Sequence, residues 1–266
     1  MKIDCHTHIV SKQIKDEYFS KVDCFAIVMS FLDKFKEYGF PDNSYETVLS
    51  DNRLFLSPSI DLTKDIEAQL DFIEERIDKY RIVGLKIFLT YQKGRADDEK
   101  LLPVYEFAEK NNLTITYHTG STSLVLPSDD DMEGSRAFYI NKVAEKFPKV
   151  NFVIAHMDDP RFLECMEIVS SRDNLFTDFS GAYEPGTKEG EDMAWAIETF
   201  KNAINKYPNT HNKILYGTDF CPPINLSALE EYDITIEKIF SKEEFEDIYY
   251  INALRAFPKL KEYIRS

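Results

Sequence analysis

Short apolar runs alternate with longer amphipathic stretches along the chain. Eight runs stand out: MKIDC (1–5), CFAIVMS (24–30), RLFLSPSI (53–60), IVGLKIF (82–88), LTITYH (113–118), VNFVIAH (150–156), NLFTDFS (174–180) and KILYGTD (213–219). Several are apolar on both faces, as expected of strands covered by helices on one side and a barrel core on the other. Between them, Thr63–Arg81 places Ile66, Leu70, Ile73 and Ile77 on one stripe, and Asp97–Asn111 repeats Leu101, Tyr105 and Ala108 at helical spacing. Arg136–Lys146, Pro160–Ser171, Asp192–Tyr207 and Ser241–Phe257 behave similarly. Strands alternating with helices predict a parallel sheet. Eight of them predict an α/β fold, a (β/α)8 TIM barrel, as a single domain over residues 1–266. An open doubly wound sheet lacks its signature, since no strand is followed by a glycine-rich phosphate loop.

The charge narrows the partners. Asp and Glu number 47 against 32 Lys and Arg, a net charge of −15. That balance argues against nucleic acid and against an anionic membrane surface, and leaves a small-molecule substrate. The first residues, MKIDCHTHIV, hold no long apolar run, and no stretch approaches the ~20 apolar residues of a membrane span. Cys5, Cys24, Cys165 and Cys221 are scattered and read as reduced thiols, which suits a cytoplasmic protein.

Four of the five histidines close a predicted strand, where barrel enzymes build their sites. His6 and His8 close the first, His118 the fifth, and His156 the sixth. Asp219 closes the eighth, whereas His211 lies in the polar turn NTHNK on the opposite face. Strand alternation puts Thr114, Thr116 and His118 on one face and turns Lys86 inward with Gly84 and Phe88. Buried polar groups cost on the order of 2–7 kcal/mol each unless they pair or coordinate. A divalent metal is the simplest compensation, and zinc suits imidazole and carboxylate donors. Each residue alone has an ordinary structural role open to it: a solvated turn, a helix cap, a buried ion pair. The coincidence at one end of separate strands favours the metal.

The ordered motifs IDCHTH, GLKIF, TITYHTG, FVIAHM and LYGTDF resemble the amidohydrolase superfamily. They are most similar to its branch of TIM-barrel metal-dependent hydrolases, which also holds metal-dependent decarboxylases. The likeness extends through KFPKVNFVIAHM, NLFTDFSG and INALRAF, from Met1 to Phe257. It implies that His6, His8, His118 and Asp219 hold a metal, and that Asp219 also touches the catalytic water. It makes His156 a proton-handling or polarising group, or a ligand to a second metal. Lys86 matches a lysine that is carboxylated and bridges two metals in relatives such as dihydroorotases. In many single-metal members it is not carboxylated, so the resemblance favours one metal per chain over two. Zinc is expected, with manganese and iron also suited. The branch often has glycine after HM; here Asp158 and Asp159 follow.

The expected activity is attack of metal-activated water on a small-molecule amide, ester or lactone, with Asp219 and His156 catalytic. Non-oxidative decarboxylation on the same barrel is the alternative, and a non-catalytic binding protein a third reading. The related nuclease branch has a fourth-strand glutamate where this chain has GLKIF. Tyr91, Gln92, Lys93 and Arg95 follow the fourth strand and are candidates to contact substrate, alongside the loops Thr119–Asp131, Ser180–Gly190 and those after Asp219. Members of the family often form homodimers.

Overall fold

The computed structural model describes residues 1–122, 129–182, 193–221 and 229–264. Among them the strands are β1 (Ile3–Thr7), β2 (Phe25–Met29), β3 (Leu54–Ser57), β4 (Gly84–Phe88), β5 (Thr114–His118), β6 (Phe152–Ile154) and β7 (Leu175–Thr177). The helices are α1 (Lys12–Phe19), α2 (Ser44–Val48), α3 (Ile66–Glu74), α4 (Leu89–Gln92), α5 (Leu102–Asn111), α6 (Asp129–Gly134), α7 (Ala137–Lys146), α8 (Phe162–Ser170), α9 (Met193–Lys206), α10 (Leu229–Ile239), α11 (Asn252–Ala256) and α12 (Leu260–Tyr263).

All strand pairs are parallel, in the orders β1-β2-β3 and β4-β5-β6-β7. Parallel bridges join the two sheets at Leu56–Ile82 and Ser59–Lys86. The segment 214–220 links β7 back to β1, through bridges Thr177–Ile214 and Thr7–Phe220 and the bonds Leu215 N to Thr177 O, Cys5 N to Tyr216 O and His8 N to Phe220 O. The architecture is the expected TIM barrel.

Side-chain alternation sorts the two sides of the sheet. Leu85, Ile87, Leu113, Ile115, Tyr117, Phe152 and Ile154 pack outward against the helices. Ile3, Cys5, Ile27, Phe55, Val83, Val153, Phe176 and Leu215 meet inside, with Ala253, Ala256, Phe257 and Leu260 of the last helices packed against them. At Gly84 an added Cβ would stand 2.7 Å from the Thr114 carbonyl and 3.3 Å from Phe257, so only glycine lets β4 approach there.

Some elements differ from the sequence pattern. The expected eighth strand is irregular, because the Thr218 N–H goes to the Asp4 carboxylate rather than to a neighbouring strand. The helix expected over Thr63–Arg81 is the shorter α3, started by its cap Asp65, whose side chain accepts from Ala68 N at 3.0 Å. Arg81, at φ 48°, instead donates to the carbonyls of Leu54 and Asp51. The Ser241–Phe257 pattern splits into a capped turn, a π-turn at Asp247–Ile251 and α11. Helices α1 and α10 form where no helix was expected.

Phe257 is fully buried in the inner cluster. Replacing it with alanine is expected to lower the unfolding free energy by about 3–5 kcal/mol, read as a reduced denaturant midpoint at unchanged slope.

Candidate metal centre

The first strand is irregular in a way that shapes the centre. Ile3 pairs with Phe25 and Asp4 with Ala26, but Thr7 pairs with Val28, so β1 carries one extra residue. That bulge lets Cys5 face the apolar interior while His6 and His8 both turn to the carboxyl end. Asp4 points to the other side, fully buried. It accepts from Tyr18 Oη (2.8 Å), Thr218 Oγ1 (2.6 Å), Thr218 N (3.1 Å) and His6 N (3.2 Å). It thereby ties β1 to the segment that carries Asp219.

His8 Nδ1 lies 2.8 Å from the Met29 carbonyl and donates to it, which leaves a lone pair on Nε2. Lys86 Nζ lies 3.1 Å from His6 Nε2 and donates to it, so that nitrogen also presents a lone pair. Asp219 Oδ1 stands 3.4 Å from His6 Nε2 and 3.3 Å from His8 Nε2. His6 Nε2 and His8 Nε2 thus both lie within 3.4 Å of Asp219 Oδ1, a cluster of three donor atoms that suits a divalent cation. Burial pushes the His6 imidazole well below its ordinary pKa, and Lys86 adds to this. Burial also lowers Lys86 to about 8, against the pull of Asp219 and Asp178. At Asp219 burial works toward the neutral acid, but His6, His8 and His156 outweigh it and hold the carboxyl well below its usual range. Imidazole nitrogens beside an ionised carboxylate are the donor types such a cation needs.

The fifth- and sixth-strand histidines form a second unit. His156 Nε2 is 2.9 Å from His118 Nδ1, His118 Nε2 is 3.0 Å from the Ser121 carbonyl, and His156 Nδ1 contacts the Ser180 carbonyl. Burial pushes the His118 imidazole down, with His156 and Lys86 acting the same way. The His156 ring is centred 5.1 Å from that of His6. Among the described residues, the donor groups compact enough for a cation are His6–His8–Asp219 and His6–His156–Asp178. His118 is in neither; with its Nε2 on the Ser121 carbonyl and His156 Nδ1 on the Ser180 carbonyl, His118 Nδ1 and His156 Nε2 face each other as acceptors.

Asp178 was not singled out from the sequence. Its signal was available in NLFTDFS, where Phe176, Asp178 and Ser180 alternate onto the inner face that also receives the ligands. Its Oδ2 is 3.3 Å from His6 Nδ1, and its Oδ1 accepts from the backbone of His156 and Ser180.

Aromatic rings wall the centre. Phe31 stacks on His8 at 4.3 Å between centroids, and Tyr91 lies 4.9 Å from His118. Gln92 instead bonds Leu62 N and Ile60 O, and Arg95 forks onto Asp97 while lying over the Tyr139 ring. Lys93 is largely exposed, 3.7 Å from Asp131. Of these four, Tyr91 alone shows a ring contact to a centre histidine. Cys221 packs with Val10, Phe31, Leu32, Phe35 and Phe88, and all four cysteines are free thiols. Phe31 also lines a cavity of about 550 Å³ with Asp42, Tyr45, Ser59, Lys64 and Gln69. Gly181, at φ 63°, brings backbone over the centre: a Cβ there would sit 2.6 Å from Asp219 Oδ2 and 3.0 Å from His156 Nδ1. Parts of the loops expected to meet substrate, 123–128, 183–192 and 222–228, lie outside the described residues.

A family model described as amidohydrolase matches residues 3–259. No curated protein matches the chain. Solved structures do. 4-Oxalomesaconate hydratase from Rhodopseudomonas palustris is similar with a TM-score of 0.65 and 14% identity, over 99% of this chain and 97% of that one. Dihydroorotase from Campylobacter jejuni is similar at 0.62 and 16%, over 97% and 83%. 2,6-Dihydroxybenzoate decarboxylase from Rhizobium is similar at 0.60 and 13%, over 97% and 98%. Three named reactions share this fold, so the likeness speaks for architecture and leaves the chemistry to the site.

Asp42, on the cavity wall, is raised by burial from 3.8 to about 6, although Ser44 donates to it. A folded-state value above the unfolded one favours folding at low pH. Relative to Asp42→Asn, the native protein should gain on the order of 2 kcal/mol as pH falls from about 6 to about 4. Denaturant unfolding of both proteins across that range in a chelating buffer measures it; equal pH slopes would remove the assignment.

Proposed function

The chain belongs to the amidohydrolase family, and we propose that it is a metal-dependent hydrolase of a small-molecule amide, ester or lactone. The observation that carries this reading is the convergence of His6 Nε2, His8 Nε2 and Asp219 Oδ1, three buried or half-buried atoms compact enough to hold one cation. A divalent cation there, with zinc the expected one, supplies Lewis acidity toward a carbonyl oxygen and toward water. The chain's own residues do the rest. Asp219 has one oxygen on the imidazoles and the other, Oδ2, toward Gly181. Through Oδ2 it takes the proton of the attacking water and returns it to the leaving group. The Ser121 and Ser180 carbonyls set the tautomers of His118 and His156, which border that space. The Phe31 and Tyr91 rings flank the imidazoles, Phe31 against His8 and Tyr91 against His118. Four free cysteines support a cytoplasmic setting, and no helix among the described residues is long and apolar enough to cross a membrane.

Elemental analysis of the purified protein is expected to give about one zinc per chain. A ratio near two would bring His156 and Asp178, or Lys86, into coordination. Chelation should abolish hydrolysis of a responsive amide, ester or lactone, and added zinc should restore it. Activity retained after complete metal removal would end the proposal. Carbon dioxide released from a carboxylic-acid panel without hydrolysis would replace it with decarboxylation on the same centre.

Asp219→Asn should lower kcat/KM by on the order of 10²–10⁴-fold with the fold intact by circular dichroism. A variant as active as the native enzyme would exclude Asp219 as the base.

A further inference from the structure

We infer that Asp178 is a positioning residue that sets the tautomer of His6, and so aims one of the three donors of the centre; this rests on the metal-centre reading above. His6 and Asp178 side chains are each 1% exposed, with Nδ1 and Oδ2 3.3 Å apart. The second neighbour of Nδ1 is Ser180 Oγ, at 3.1 Å. That hydroxyl donates its own proton to Asp178 Oδ1 at 2.5 Å, so it offers His6 a lone pair. Both neighbours of Nδ1 are acceptors, and Nδ1 therefore carries the proton. The other nitrogen agrees independently, since Lys86 donates to Nε2 at 3.1 Å. Contacts on opposite sides of the ring specify one tautomer, with the proton on Nδ1 and the lone pair on Nε2, the side that meets Lys86 and lies 3.4 Å from Asp219 Oδ1.

The carboxylate is itself held. Oδ1 accepts from Ser180 Oγ, from Ser180 N at 3.1 Å and from His156 N at 3.2 Å. Rotating it would break all three. The same oxygen fixes the turn at His156, where the backbone takes φ 60°. Asp178 thus joins two histidines from opposite parts of the ring: one by orienting its imidazole, the other by holding its backbone. The group His6–His156–Asp178 also has the size of a cation site. The Asp178 Oδ1 in that group already accepts three hydrogen bonds. Orientation of a ligand through its far nitrogen accounts for the same geometry without a second ion.

Asp178→Asn makes the test sharp. The asparagine oxygen keeps the three donors, which turns its NH2 toward His6 Nδ1. That nitrogen must then accept, and the proton moves to Nε2, the donor position. Zinc affinity by chelator competition should fall by about 10–100-fold, with the metal-free melting temperature little changed. Long-range ¹H–¹⁵N spectra of the metal-free native protein should show His6 protonated at Nδ1, and those of the variant at Nε2. Native His6 protonated at Nε2 would overturn the inference whether or not the variant folds. So would an unchanged zinc affinity in the variant. A native protein binding two cations, one of them lost in Asp178→Asn, would make Asp178 a ligand instead and overturn it too. A native protein that binds no divalent cation would sink the metal reading, while the tautomer in the same sample still decides what Asp178 does to His6.

Discussion

The arrangement on which the rest depends is the meeting of two imidazole nitrogens and a carboxylate oxygen at the carboxyl end of the ring. Polar atoms gathered this closely and taken out of water need a charged partner, and burial makes its absence costly. The surroundings read as answers to that constraint. Lys86 sits fully buried beside His6. The Met29 carbonyl turns His8. Asp178 and Ser180 stand behind His6. Each of these groups touches one of the two imidazoles directly.

The second constraint lies two residues before His6, at Asp4. A carboxylate is an expensive thing to bury, and burial raises Asp4 to about 6 even with four donors on it. Its bonds to Thr218, Tyr18 and His6 replace strand pairing along the segment that ends at Asp219. The irregular eighth segment and the bulge in β1 are two sides of one joint. That joint brings a ligand pair near the start of the chain against a carboxylate more than two hundred residues later.

Much of the fold was legible because strand and helix leave different periods. The runs at 24–30, 82–88 and 113–118 became β2, β4 and β5, and inward Lys86, Thr116 and His118 followed from alternation. The eighth strand failed because a side chain took a backbone donor, which no apolar pattern records. Helices α1 and α10 were missed because their apolar residues are few and interrupted by charge. Arg95 looked available for a substrate from sequence, but Asp97 two residues away claims it. The contact between His118 and His156 across two strands also left no trace in the local pattern.

By itself the sequence determined the period of the elements, the end of the barrel where the histidines collect, and the donor types, because these depend on residue identity and local spacing. Only the tertiary structure decided which nitrogen of each ring faces the centre, which histidines share a cluster, and that Asp178 stands behind His6. Those outcomes turn on contacts across the ring, His6 to Asp178 and Lys86, His8 to Met29, and no local pattern carries the direction of a hydrogen bond made 20 to 170 or so positions away.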